Sequence, residues 1–195
     1  KNWKLQIPGP RQVKDLRGYS SDHFFLNAKN EIVFHLDAAE KGTTTTAHFV
    51  RSELRHLPEW RASESHSMTG TFRVESRLNP DKVTAMQIHG VTASGGEAPP
   101  LLRIAVNHGN LVAMLKVADD GQKTDTIALR ESLGSRWVKV GIAVKNKSLK
   151  ISVDDAPQVT RDISFWTHWN YFKAGCYPQA TNGTATIVFR ELKAE

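Results

Sequence analysis

Three short segments of this chain carry hydrogen-bonding and ionisable side chains at alternate positions. They are RSELR (51–55), QIH (87–89) and YFKAGCYPQ (171–179). Alternate residues of a β-strand point to the same face of a sheet, so each segment, if extended, has one polar face and one apolar face. Polar faces from three strands of the same sheet would together form a charged groove.

The alternation assigns each side chain of these segments to a face. The polar faces are Arg51, Glu53 and Arg55 in the first segment, Gln87 and His89 in the second, and Tyr171, Lys173, Gly175, Tyr177 and Gln179 in the third. Ile88, Phe172, Ala174 and Cys176 point inward, which predicts a buried structural cysteine and not a nucleophile. Charged alternation usually marks a solvated outer face. The combination of Gln, His, Tyr and Lys is unlike the usual Lys, Glu and Thr of such a face, so we interpret it as a site.

The elements that must position these residues are predicted to be β-strands. Eight stretches rich in β-branched and aromatic residues read as strands: 31–37, 69–78, 84–90, 101–106, 110–117, 136–144, 149–154 and 184–192. Turn-forming sequences such as LNPDK, NHGN and ATNGT separate them. Many short strands at this spacing predict an all-β sandwich or barrel. Helix is expected only at 12–18 and around 130–136.

Length and composition limit the class of protein. The chain has 195 residues, 39% of them hydrophobic, which is enough for one substantial core, so we expect a single domain over 1–195. No stretch approaches the roughly 20 apolar residues that cross a bilayer, so no membrane partner is expected. The single cysteine excludes an internal disulfide and a multi-cysteine metal site, and the histidines follow no metal-ligand pattern. We therefore expect no metal and no cofactor.

The charge balance indicates an anionic partner. Lys and Arg number 26 against 20 Asp and Glu, a formal charge of +6, and such a surplus attracts polyanions. No basic run of five or more residues and no helix-turn-helix, zinc-finger or RNP1-like pattern is present, which argues against nucleic acid. An acidic polysaccharide would be attracted by the same charge.

The three polar segments, in this order and with comparable spacing, resemble the signature segments of the alginate lyases of polysaccharide lyase family 7. WKLQIP (3–8) and APPLLRI (98–104) also resemble parts of that family, so the resemblance extends over nearly the whole chain. It implies a β-jelly roll of two antiparallel sheets with the substrate in the concave cleft of one sheet. The all-β prediction agrees with this and does not depend on it.

The resemblance implies cleavage of a 4-linked uronate by β-elimination. A base removes the proton on carbon 5, beside the carboxylate, and an acid protonates the oxygen that leaves carbon 4. Charge that develops next to an ionised carboxylate must be stabilised by positive or hydrogen-bonding groups. Arg51, Gln87 and His89 match the family positions for this clamp. Tyr177 matches the catalytic tyrosine, which acts as acid and, when the carbon 5 hydrogen lies on its side, also as base; His89 is the base when the hydrogen lies opposite, as in guluronate.

The remaining polar residues receive supporting roles. We assign Glu53, Arg55, Lys173 and Gln179 to substrate binding or to fixing the catalytic groups. Glu53 is expected to hold Arg51 or Arg55, with a surface ion pair as the alternative. Lys173 and the arginines of RSELR are expected to favour the phenolate of Tyr177. Ile in the QIH segment accompanies guluronate-containing substrates in the family, so we expect such blocks to be accepted.

An endo-acting alginate lyase is therefore the favoured function. A lyase acting on another polyuronate, such as glucuronan, and a non-catalytic acidic-polysaccharide-binding module remain alternatives. The presence of both His89 and Tyr177 argues against the binding module. We expect a monomer that is secreted or periplasmic in a bacterium, with its signal peptide removed.

Overall fold

The computed structural model describes residues 2–9, 11–40, 49–119 and 122–195, and in these ranges every regular element is a β-strand. The strands are β1 (Trp3–Ile7), β2 (Arg11–Val13), β3 (Phe24–Leu26), β4 (Ile32–Asp37), β5 (Ser52–His56), β6 (His66–Ser76), β7 (Lys82–Val91), β8 (Glu97–Asn107), β9 (Asn110–Lys116), β10 (Thr124–Arg130), β11 (Val138–Lys145), β12 (Ser148–Val153), β13 (Ala156–Asp162), β14 (Trp169–Pro178) and β15 (Thr184–Ala194). No helix in the described ranges is long and apolar enough to cross a membrane.

The strands form two antiparallel sheets. The first has the order β10-β9-β8-β7-β14-β5-β1-β2 and the second the order β13-β12-β11-β6-β15-β4-β3. Apolar side chains between the sheets form the core, among them Ile88 and Phe172 from the first sheet and Phe34, Phe72 and Phe189 from the second. The opposite face of the first sheet therefore remains for the polar side chains.

All eight predicted strands are present, but the two predicted helices are wrong. Residues 12–13 pair with β1 in β2, and a turn follows at residues 17–18. Residues 131–137 form a bend and a turn, because Ser132 (φ 46°) and Gly134 (φ 58°) have left-handed backbones that end any helix. Five strands were not predicted: β1, β2, β3, β10 and β13. β1 entered only through the resemblance of WKLQIP, and β2 and β3 have three residues each. Most of β10 and β13 is exposed, so neither has an apolar alternation.

The three polar segments lie on adjacent strands of the first sheet, which meets the condition for a shared groove. β14 pairs with β5 on one side and with β7 on the other, and Lys173 is the register partner of both Arg55 and Gln87. The inward residues Ile88, Phe172 and Cys176 are fully buried. The Cys176 Sγ lies 3.7 Å from the carbonyl oxygen of Ala185, and burial raises the pKa of its thiol. Cys176 is thus the structural cysteine that its position predicted.

Gly175 allows β14 to lie unusually close to β5. A β-bulge interrupts the pairing of β14 with β7 between Ala174 and Tyr177, and Gly175 has a φ of 152°. A Cβ at this position would overlap the carbonyl oxygen of Ser52 and lie 2.7 Å from the Cα of Glu53. Bulges redirect the side chains that follow them. Glycine is therefore required where the strand passes Glu53 and turns toward Tyr177.

Candidate active site

A fully buried carboxylate lies at the centre of the polar face. Glu53 is 0% exposed, and its Oε2 accepts a hydrogen bond of 2.5 Å from Lys173 Nζ. Its Oε1 accepts a hydrogen bond from Gln87 Nε2, and Arg51 Nη1 lies 3.6 Å from Oε2. Glu53 thus contacts Arg51, one of the two predicted partners, whereas Arg55 pairs with Glu59 instead. The alternative of a surface ion pair for Glu53 is wrong.

The charges of Glu53 and Lys173 depend on each other. Burial raises the pKa of Glu53, but the charges of Lys173 and Arg51 and the hydrogen bonds from Lys173 and Gln87 outweigh it, so the pKa lies below its ordinary value. Burial lowers the pKa of Lys173 to about 8, against the opposing effect of Glu53. At neutral pH the pair is therefore ionised.

The burial of this pair corrects part of the sequence-based assignment. Lys173 is 1% exposed and Glu53 0%, so neither side chain is accessible to a polysaccharide in this structure. Both had been assigned to substrate binding or to fixing catalytic groups. The structure supports only the second role, because Glu53 joins Lys173 to Gln87 and Arg51.

His89 has the charge state and the tautomer of a base. Its Nδ1 lies 3.1 Å from the carbonyl oxygen of Gly90, which can only accept, so Nδ1 carries the hydrogen and Nε2 keeps a free lone pair. Burial, followed by the charge of Lys173, lowers the pKa of His89 to about 3. The imidazole is therefore neutral at neutral pH.

Tyr171 and Arg55 hold the imidazole from one side. The ring of Tyr171 stacks on that of His89 with centroids 5.2 Å apart and an interplanar angle of 18°. The guanidinium carbon of Arg55 lies 3.9 Å from the centroid of the same tyrosine ring. Burial raises the pKa of Tyr171 to about 12, so its ring is a neutral platform. Tyr171, which the sequence left undecided between packing and function, orients His89.

Tyr177 lies between two guanidinium groups. The guanidinium carbon of Arg51 is 4.5 Å from the centroid of its ring, and that of Arg103 is 5.7 Å away. Burial raises the pKa of Tyr177, and Arg51 and Arg103 oppose it without restoring the ordinary value. Arg51 and Arg103 thus favour the phenolate, as was expected of neighbouring cations, but they do not outweigh burial. Burial has the larger effect, and Lys173 is engaged by Glu53, so the phenol stays protonated.

Gln179 fixes the backbone of this tyrosine. Its Nε2 donates a hydrogen bond to the carbonyl oxygen of Tyr177, and its Oε1 accepts one of 3.0 Å from Thr84 Oγ1. Its own backbone N–H donates to the carbonyl of Lys82 at 2.9 Å. These bonds support the positioning alternative for Gln179, and they tie the end of β14 to β7.

The sequence interpretation missed Arg103. It lies on β8, in register with Gln87, and was the only charged residue of the predicted strand 101–106. That isolation between buried neighbours was the signal that could have identified it. In the part of the chain that the structure describes, no three His, Cys, Asp or Glu side chains lie close enough together to hold a metal ion.

Comparison with known proteins identifies the family of this chain. A family model described as alginate lyase matches residues 1–195. The chain belongs to the alginate lyases of polysaccharide lyase family 7. This polysaccharide lyase is 42% identical to a curated alginate lyase from Photobacterium sp. (strain ATCC 43367), over 97% of this chain and 81% of that relative. The predicted family is thereby confirmed.

Solved structures confirm the fold of this family 7 lyase. The crystal structure of alginate lyase A1-II′ is 22% identical, with a TM-score of 0.91 over 100% of this chain and 94% of that one. Alginate lyase PA1167 from Pseudomonas aeruginosa is 24% identical, with a TM-score of 0.87 over 100% of this chain and 97% of that one. Alginate lyase AlyC3 in complex with dimannuronate is 21% identical, with a TM-score of 0.84 over 100% and 89%. The two sheets are the predicted β-jelly roll.

Proposed function

We propose that this lyase cleaves alginate internally by β-elimination and releases 4,5-unsaturated oligosaccharides, with guluronate-containing blocks among its substrates. The observation that carries the proposal is the protonation state of two groups on the polar face of the first sheet. His89 is a neutral imidazole with a free Nε2, and Tyr177 is a protonated phenol beside Arg51. A neutral base and a neutral acid are what this elimination requires at neutral pH.

Arg51 binds the carboxylate of the uronate that loses its carbon 5 proton. Gln87 is 1% exposed and donates to Glu53, so it supports this site from within the sheet. His89 donates its one N–H to Gly90 and therefore serves as the base and not as a donor to the carboxylate. The Arg51 side chain is 13% exposed, and its guanidinium can present a bidentate pair of donors to a carboxylate. Its Nη1 lies 3.6 Å from Glu53, and Gln87 donates to the same carboxylate, so both are oriented before substrate arrives. Donors fixed in advance stabilise the second negative charge that builds beside the carboxylate.

Proton transfer is divided between two residues. His89 Nε2 takes the proton from carbon 5, and the electron pair of that bond forms the double bond between carbons 4 and 5. The bond from carbon 4 to the bridging oxygen breaks, and Tyr177 Oη gives its proton to that oxygen. The protonated state of Tyr177 favours His89 as the base, which is the arrangement suited to guluronate. Arg55 and Gln179 then act by holding Tyr171 and Tyr177 in place.

Ile88 affects this specificity only through its neighbours. Its side chain is fully buried and pairs in register with Phe172, so it has no contact with a polysaccharide on the opposite face. Its packing in the core fixes the position of the backbone between Gln87 and His89. Guluronate acceptance is thus attributed to the position of these two residues.

The proposal also covers the domain organisation, the oligomeric state and the location of the protein. Residues 1–195 act as a single catalytic domain, as a monomer, and the elimination uses side chains without a cofactor. The curated relative is an alginate lyase, and the neighbouring structure of AlyC3 holds dimannuronate. An enzyme encounters polymeric alginate outside the cytoplasm, so we propose a secreted or periplasmic location. The protein would reach it with a signal peptide that is then removed.

The test uses polyguluronate, polymannuronate and glucuronan as separate substrates. Elimination produces a 4,5-unsaturated uronate that absorbs in the ultraviolet, and an endo mode lowers viscosity early relative to the number of new chain ends. We expect absorbance with polyguluronate and a hundredfold or greater loss of kcat in Tyr177→Phe, with oligosaccharide binding retained, since removing a general acid costs on the order of 10²- to 10⁴-fold. No absorbance on either alginate block, or activity on glucuronan alone, would refute the proposal.

A further inference from the structure

Arg103 carries a charge that nothing in the described part of the chain compensates. Leu102 and Ile104 belong to the core, so the side chain of Arg103 points to the groove face of the first sheet. It has neither a hydrogen bond nor an ion pair with any described residue, and its Nε is buried without a partner. The other two groove arginines have acidic neighbours: Arg51 has Glu53 and Arg55 has Glu59.

An unpaired, partly buried guanidinium is costly, because burial removes water that solvates the charge. Burial accordingly lowers the pKa of Arg103, and Tyr177 and Glu53 oppose that effect without restoring the ordinary value. The free-energy cost of burying such a charge is small only when an anion pairs with it. In a groove for a polyuronate, each sugar of the substrate supplies one carboxylate.

Lys82 adds a second cation to the same region. Val83 points into the core, so Lys82 faces the groove at the start of β7. No described residue accepts a hydrogen bond from its ammonium or forms an ion pair with it. Burial and then the charge of Arg103 lower the pKa of Lys82, which means that the two cations repel each other. Like charges without an acid between them are the electrostatic pattern of an anion site.

A cavity beside Arg103 has room for a sugar. Its volume is about 150 Å³, and it is lined by Pro99, Pro100, Arg103, Met114, Lys116 and Thr124. The Lys116 ammonium donates to Thr124 Oγ1 at 2.8 Å across this cavity wall. Apolar walls with a few fixed polar groups are usual in sites that bind small molecules. The cavity thus offers apolar surface for a ring and a guanidinium for its carboxylate.

The strand order places Arg103 and Arg51 on opposite sides of β14. Arg51 leads into β5 on one side of β14, and Arg103 lies on β8, beyond β7 on the other side. Their guanidinium carbons are 4.5 Å and 5.7 Å from the ring centroid of Tyr177. The acid that protonates the bridging oxygen therefore lies between two guanidinium groups.

We propose that Arg103, supported by Lys82, binds the carboxylate of the uronate on the leaving side of the scissile bond, while Arg51 binds that of the uronate that loses its proton. This inference rests on the proposed function. Arg103 is then a substrate-binding residue that fixes the bridging oxygen near Tyr177. A charged hydrogen bond of this kind corresponds to about a 10- to 100-fold change in binding.

The test replaces Arg103 by methionine, which keeps an unbranched apolar stem and removes the guanidinium with its charge. We expect Arg103→Met to raise KM for polyguluronate about 10- to 100-fold, and Arg103→Lys to recover part of that loss. Arg73→Met is the matched control, because Arg73 lies on the outer face of the second sheet and pairs with Glu75 there. It should leave KM unchanged. Thermal melting of each variant reports whether it folds.

Binding is measured separately in the Tyr177→Phe background, with a guluronate oligosaccharide and with the same oligosaccharide after its carboxyl groups are reduced. Arg103→Met should weaken binding of the first and leave the second unchanged. Unchanged KM and affinity in an enzyme that cleaves alginate would overturn the inference, as would an equal loss for both oligosaccharides. If the wild type eliminates no uronate but binding still depends on Arg103 and on the carboxylates, the proposed function fails and this inference stands.

Discussion

Replacing Lys173 by methionine would leave the Glu53 carboxylate buried without its main partner. The pair is joined by a 2.5 Å hydrogen bond, with side chains 1% and 0% exposed. Breaking a buried ion pair by removing one partner costs about 3–5 kcal/mol. Gln87 still donates to Glu53 and Arg51 remains 3.6 Å away, so we expect the lower end, about 3 kcal/mol. For a chain of 195 residues this corresponds to a fall in Tm of roughly 7 °C.

The assay is thermal and urea unfolding at neutral pH, with Glu53→Gln and the double variant completing a cycle. Replacing both charges removes the uncompensated carboxylate, so the double variant should lose less stability than the sum of the single variants. Lys193→Met is the matched control, because Lys193 pairs with Glu195 at the exposed end of β15 and should leave Tm unchanged. A Tm for Lys173→Met within about 1 °C of wild type, against the fall expected from the cost of a lost buried partner, would refute the reasoning.

The pH dependence of stability gives the same cycle a second readout. The folded pKa of Glu53 is below its ordinary value, so its contribution is present above the unfolded pKa and is lost as pH falls through the folded one. Without Lys173 the folded pKa rises toward or above the unfolded one, so the stability that the variant loses on acidification should be smaller than in wild type, because protonation then neutralises an uncompensated buried carboxylate. Identical acid unfolding profiles for the two proteins would contradict the assigned direction of the shift.

Two further predictions concern the groove. The pKa of His89 is about 3, so log kcat/KM should show no acidic limb from histidine between pH 5 and 7; an NMR titration of the His89 ring, identified by the signal lost in His89→Asn, that shows protonation in that range would contradict its neutral state. Gly175→Ala should lower both Tm and kcat, because the added Cβ overlaps the Ser52 carbonyl and displaces β14 beside Glu53. Gly9→Ala, where a Cβ meets nothing within 4 Å although φ is also positive, is its control, and equal effects of the two changes would show that backbone strain alone is responsible.

Much of the fold and of the groove could be predicted, because alternation is a local property of a strand. The inward positions of Ile88, Phe172 and Cys176 and the eight apolar strands follow from it. The order of strands in a sheet is not local. That Glu53 is fully enclosed depends on β5 lying beside β14, with β7 beyond it, and RSELR alone is equally compatible with a surface ion pair.

The direction of the pKa shift of Tyr177 could not be predicted for a related reason. Neighbouring cations can be read from the sequence, whereas the loss of water around a side chain depends on what packs over it. Tyr177 is 8% exposed, and that burial exceeds the effect of Arg51 and Arg103 on its pKa. The charges that can be read from the sequence therefore do not by themselves give the direction of the net shift.

Substrate binding should increase the difference in pKa between the acid, Tyr177, and the base, His89. The carboxylates that bind Arg51 and Arg103 bring negative charge to the two groups that oppose the effect of burial on Tyr177, so the pKa of the phenol rises again. Tyr177 then keeps its proton until negative charge develops on the bridging oxygen. The pKa of His89 is lowered first by burial and then by the charge of Lys173. Glu53 binds Lys173 inside the sheet, so this ammonium is not available to the substrate. Burial and the charge of Lys173 thus keep the base neutral while Arg51 and Arg103 bind the substrate, and the two proton transfers stay assigned to different residues.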